Sequence, residues 1–171
     1  MAIAHSLIAE MDHESAATRK HLERVPAHRF DYKPHDKCMT LIQLASHIVE
    51  SLTWGITTIK EPEFVMDMAI YKPWIAKDME DLLDTYDKHS AELKSALANA
   101  TDDEMMAMWT MKGTDGSVIF TMPRVVVMRS FVLNHCYHHR AQLGLYLRLL
   151  DVPVPQSYGP TSDEPQMTMG G

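Results

Sequence analysis

Concentrated positive charge is missing from this sequence. Its 16 lysines and arginines are outnumbered by 23 acids, the formal charge is −7, and no stretch gathers basic residues into a stripe. Phosphate backbones are held by clustered cations, so DNA and RNA are not expected partners. Long apolar runs are missing too, because a charged or polar residue interrupts every run before the roughly 18–20 residues of a membrane span. The start, MAIAHSLIAEMDHE, carries acids and a histidine where a secretory signal needs an apolar core behind basic residues, and a cytoplasmic location is expected. Cysteine is scarce. Cys38 and Cys136 are too few for a disulfide framework in a chain able to build a core, and both are expected as free thiols. Internal repeats and low-complexity tracts are absent as well.

What is present suits one folded unit. With 46% hydrophobic and 23% charged residues over 171 positions, the chain is expected to form a single domain, 1–171, with a core of its own. Ile3, Leu7, Ile8, Met11 and Leu22 recur at helical spacing, predicting a first helix from about Ile3 to Glu23 before Pro26. Thr40 is placed to cap a second helix that runs to Lys60 and stops at Pro62. The connection from Glu61 to Lys77 is long, and is expected to pack Phe64, Met66 and Trp74 over one end of the helices as part of a pocket wall. A third helix is predicted from Lys77 or Asp78 to about Asn99. Between Met105 and Met122 the run WTMKGTDGSVIFT sets two strand-like stretches around a Gly-Thr-Asp-Gly turn, which predicts a hairpin. Thr121 and Pro123 open a fourth helix, unbroken to Gly144 and continuing to Leu150; the tail from Asp151 is expected to be irregular. The expected fold is all-α, with a short irregular or hairpin insertion before the last helix.

The chain holds ten histidines. His5, His13, His21, His28, His35 and His89 read as solvated surface residues. The run NHCYHHR differs, because at about 100° per residue His135 and His139 lie about 40° apart on one helix face. Met128, Phe131, Val132, Tyr146 and Leu150 share that face, so both imidazoles are expected to point inward, with Arg129, Arg140 and Arg148 on the polar side. His138 falls to the other side, nearer the rim, and the geometry favours the 135/139 pair. The fourth helix alone leaves two readings: a shared metal ion, or a buried pair hydrogen-bonded to tyrosine or carboxylate groups. A third ligand must come from another helix, and His47 is the histidine inside helix two. Its mixed face includes Gln43, Glu50, Ser51 and Trp54, which suits a wet pocket; Glu50 reads either as an acceptor fixing an imidazole tautomer or as a solvated acid.

These residues resemble the DinB family, also known as DinB/YfiT-like metalloenzymes. The resemblance spans nearly the whole chain and is carried by LASHIVESLTW, which contains His47, and by NHCYHHRAQLGLYLRLLDVPVPQSYGPTSDE, which contains His135 and His139. It implies a four-helix bundle, frequent homodimers, and a three-histidine metal site with one ligand from the second helix and two from the fourth: His47, His135 and His139. Characterised relatives include bacillithiol transferases and mycothiol-dependent maleylpyruvate isomerase, so the resemblance implies chemistry on small molecules without fixing the reaction.

Three neutral imidazoles leave a divalent ion, whether zinc, nickel, iron or manganese, with open coordination positions. The leading expectation is therefore a metal-dependent enzyme in which a low-molecular-weight thiol attacks a small electrophile. A metal-dependent hydrolase is the runner-up. A stress-response ligand-binding protein with a structural metal is the non-catalytic alternative. Cys136 sits about 100° round the helix from His135 and is expected to point away from the ion.

Overall fold

The computed structural model describes residues 2–164 and is mostly helical, with one small sheet. Helix α1 spans Ile3–Glu23, and its first turn is tied down when the Ile3 amide donates to Asp102 Oδ1 at 2.7 Å. Helix α2, Leu41–Lys60, begins where expected: Thr40 and Gln43 form a reciprocal capping box that satisfies two backbone donors the first turn cannot pair. Helix α3, Met79–Ala98, is capped by Asp78. Leu7, Leu22, Leu44, Ile48, Leu82, Leu93 and Leu143 interlock in one continuous core. α2 approaches α3 closely at Gly55, where a Cβ would sit 2.9 Å from Leu93 and 3.2 Å from Val132. That contact fixes α2, and with it His47.

The expected hairpin forms from β2, Met108–Gly113, and β3, Val118–Pro123, around a turn in which Gly116 takes a positive φ of 80°. Besides a single 3-10 turn at Ala27–Arg29, two elements are additional to the expectation. Glu63–Met66 is a strand, β1, pairing in parallel with β2 to give the order β1-β2-β3, so the chain is not purely α. Asp102–Met106 forms a short helix, α4, capped by Thr101 and Glu104. Buried Trp109 and Met111 of β2 pack with Val127, and Trp54, Phe64 and Phe120 lie against them. The pairing slips between Met111↔Phe120 and Lys112↔Val118, which leaves Ile119 as the extra residue of a β-bulge.

β3 runs directly into the last helical stretch, which is not the uniform α-helix expected from its periodicity. It consists of α5, Arg124–Val127, a π-helical segment, Met128–Leu133, and α6, Asn134–Leu149. The wider turn moves the faces: Met128 and Val132 are fully buried as expected, but Phe131 is 37% exposed. Arg140, expected on the polar side, is 1% exposed. It is held by an ion pair with Glu14 at 2.7 Å, a hydrogen bond to Thr18 Oγ1, and the rings of Tyr137 and Tyr158 at 5.2 Å on its guanidinium. His21, expected in solvent, is 3% exposed, with Nδ1 2.8 Å from the Ala17 carbonyl and its ring near the bare Cα of Gly144. His89 is half-buried, whereas His5, His13, His28 and His35 are exposed as expected. The tail from Asp151 is irregular through Glu164, yet anchored where Arg148 pairs with Asp163 and Tyr158 donates to Glu14; its last part, 165–171, lies outside the described residues.

Candidate metal centre

His47 on α2 meets His135 and His139 on α6. One ring nitrogen from each lies within 4.8 Å of the others, a spacing that could hold a metal ion. His47 Nε2 and His135 Nε2 face each other at 2.9 Å, and the rings of all three stand edge to face with centroids 4.4–5.0 Å apart. Three imidazole faces crowded this closely are a poor arrangement for three cations and a good one for three lone pairs. His139 is buried and its pKa is lowered to about 4, chiefly by desolvation and further by the neighbouring imidazoles. Burial and then His47 lower His135 as well. Both rings are thus neutral at pH 7, the form that ligates.

Neighbours settle which nitrogen of two rings carries the proton. His139 Nδ1 donates to Gln142 Oε1 at 2.7 Å, which leaves Nε2 as the donor of a lone pair. Glu50 Oε2 lies 3.9 Å from His47 Nδ1 and favours the proton there. Glu50 is therefore not a solvated acid. It is buried, accepts hydrogen bonds from Tyr71 Oη at 3.0 Å and from the Trp74 amide at 3.1 Å, and so pins the 61–77 connection to the site. The same contact and burial push the Tyr71 hydroxyl up to about 12, so it stays a proton donor. His138 is exposed and outside the three-nitrogen cluster, touching it only through the His139 ring at 5.0 Å.

Cys136 points away, as expected: it is buried beside Thr18 and Tyr86, and burial raises its thiol to about 11. Cys38 is also free. Two cavities adjoin the centre and share Trp54. The larger, about 360 Å³, is walled by Met111, Ile119, Phe120 and Phe131 and opens onto His47 and His135. The smaller, about 140 Å³, has Glu50, Tyr71, Phe64 and Trp109 in its lining. The sequence reading anticipated Phe64 and Met66 as wall residues but missed Gln142, Phe120 and Ile119. Gln142 had a signal, since it lies three residues beyond His139 on one helix face; the other two reach the site through a bulge that no periodicity announces.

A helical protein whose second and last helices converge three imidazoles beside a walled cavity is the class this geometry defines. The chain belongs to the DinB family, which its sequence matches over residues 2–169. No curated protein matches it. Among solved structures it is similar to a DinB-like protein from Bacillus cereus ATCC 10987, at 21% identity over 90% of this chain and 97% of that one, with a TM-score of 0.69. A DinB-like protein from Bacillus subtilis gives 16% identity, 93% and 98% coverage and a TM-score of 0.63. At these identities the likeness concerns the fold. Among the described residues no helix is long and apolar enough to cross a membrane.

Proposed function

We propose that this DinB-family chain is a four-helix-bundle metalloenzyme acting on small molecules, with His47, His135 and His139 holding one divalent ion. The observation that carries the reading is the cluster of three imidazole nitrogens within 4.8 Å, two of them with the opposite ring nitrogen facing an acceptor. A merely structural use would explain convergence, but not the cavity of about 360 Å³ that ends on two of the three rings. An ion bound there supplies Lewis acidity to a thiol or water drawn into its open positions. The chain's own contributions are distinct. Gln142 and Glu50 orient two of the imidazoles, and Tyr71 and the Trp74 amide hold Glu50. Transfer of a low-molecular-weight thiol to an electrophile is the preferred reaction class: the nearest cysteine in sequence, Cys136, is turned away with its thiol protonated, which leaves the position to a thiol from outside.

The test begins with elemental analysis of protein purified without a nickel column and then supplied with metal. About one ion per chain is expected, with loss of binding in His135→Ala and His139→Ala. Cobalt-substituted protein then reports on the open positions: added thiols should change its d–d spectrum, and the change should be lost in His47→Ala. A spectrum indifferent to thiols and pH would mark a structural site and overturn the catalytic reading.

A further inference from the structure

Two breaks in regular structure deliver side chains to the same place. On an unbroken strand Ile119 and Phe120 would point to opposite faces, yet both line the larger cavity, because Ile119 is the extra residue of the bulge. On the opposite wall, the π-helical segment sends Met128 and Val132 into the core and leaves Phe131 outside it, against the cavity. Phe120 and Phe131 then stack in parallel, with centroids 4.8 Å apart and planes 2° from coplanar. Trp54 and Met111 complete the apolar walls. Bulges and π segments interrupt ladder hydrogen bonds and recur at functional sites, so two of them converging on one cavity mark it as a built feature.

The chemistry of the lining identifies the occupant. None of the lining residues carries a formal charge; apart from the two imidazoles and the indole N–H of Trp54, the polar side chain is Ser51, whose hydroxyl is already donated to the Ile48 carbonyl. The smaller cavity beyond Trp54 contrasts with it, holding the Glu50 carboxylate, the Tyr71 hydroxyl and a buried Trp109 N–H with no partner among the described residues. A dry cavity of roughly 150 Å³ is enough to take up a benzene ring, and this one is about 360 Å³. Flat aromatic walls favour a flat guest, and an unpaired charge placed there would lose hydration without compensation.

We propose that the cavity walled by Trp54, Met111, Ile119, Phe120 and Phe131 is the binding site for the uncharged aromatic portion of the substrate, held with its end towards His47 and His135. This rests on the metalloenzyme reading for the direction in which the guest points and for its being a substrate; the binding itself does not depend on it. A calorimetric titration with 1-naphthalenemethanol, on both metal-loaded and metal-free protein, tests it. The probe should bind once per chain, and in metal-free protein 1-naphthoate should bind at least about tenfold more weakly, since no cation compensates its charge. Phe131→Ala removes a wall at the partly exposed rim. Ile119→Trp fills the mouth from an exposed strand position. Each should weaken the neutral probe at least about tenfold while metal stoichiometry and circular dichroism stay as in wild type. Equal binding of the two probes, or variants that bind as wild type, overturns the proposal. Cavity-sensitive binding in a protein that takes up no metal would refute the metal reading alone, and full metal content without it would refute the cavity alone.

Discussion

Glu50 illustrates how a residue's environment reverses its composition-based fate. An acid in the middle of a helix is ordinarily solvated, and helix two read by itself left that open for Glu50; what decides is the return of the 61–77 connection, which brings Tyr71 and the Trp74 amide onto its two oxygens. With the carboxylate held 3.9 Å from His47 Nδ1, Glu50→Gln is expected to weaken metal binding roughly 10–100-fold, measured by competition with a chelator of known affinity. An affinity unchanged within error would show that Glu50 serves the loop and not the ring. The Arg140–Glu14 pair makes the complementary point about stability. Spacing placed Arg140 on the polar side because arginine is rarely buried, and a buried partner 126 residues earlier in the chain cannot be read from a helical wheel. Removing one member leaves the other charged and without water. Glu14→Leu should therefore cost about 3–5 kcal/mol in urea unfolding, and adding Arg140→Met should restore a large part of it. If the double variant is no better than the single, the two side chains are not acting as a pair.

Elements whose signals are local were legible in the sequence, and those whose causes are distant were not. The limits of α1, α2 and α3 followed from apolar spacing, Pro26, Pro62 and the acid-rich start at Asp78, and the Thr40 capping box is worth about 1 kcal/mol, the loss expected in Thr40→Ala thermal or urea unfolding. A variant as stable as wild type would mean that the turn before α2 holds the helix start by itself. The same capping signature, Thr101 followed by Glu104, was available for α4, but the helix that it opens is only five residues long and shows no periodicity. β1 had no such signal: four residues behind Pro62 become a strand because β2 offers them an edge, and that edge exists only in the folded chain. The three histidines divide in the same way. His135 and His139 are four residues apart on one helix and were found by geometry, whereas His47 was reached as the histidine inside helix two, on a mixed face suited to a wet pocket, and the resemblance to a known family added to that choice. The cavity walls were least visible, because a bulge and a π turn each add one residue to a period that sequence reading assumes constant.

At the scale of the molecule, burial of neutral histidines ties stability to pH. His21, His135 and His139 all have folded-state pKa values below the ordinary 6.5, with burial as the leading cause. The unfolded chain therefore takes up protons first as pH falls. The sign follows: stability of metal-free protein is greatest above about pH 6.5 and declines as pH drops towards about 4, the folded-state value of His139. Urea midpoints at pH 7.5 and pH 5 should differ in that sense, and His21→Gln should shrink the difference; a midpoint that rises at pH 5 would contradict it. We propose self-association as well, mainly on the family resemblance and weakly on Leu145 and Leu149 exposed on α6, and light scattering across a dilution series should give twice the chain mass. A monomer mass at every concentration would remove the expectation. The parallel pairing of β1 with β2 also bears on the order of assembly. These strands are separated in the chain by α3 and α4, whereas α2 and α6 are separated by β1, α3, α4 and both strands of the hairpin, so the sheet closes the shorter loop and the less costly one. During refolding, amides of β1 should become protected from hydrogen exchange before the chain gains the ability to bind metal, and protection that appears only afterwards would contradict this order. For a brief interval the newly made protein would then have one wall of its cavity in place before its three imidazoles converge to capture an ion.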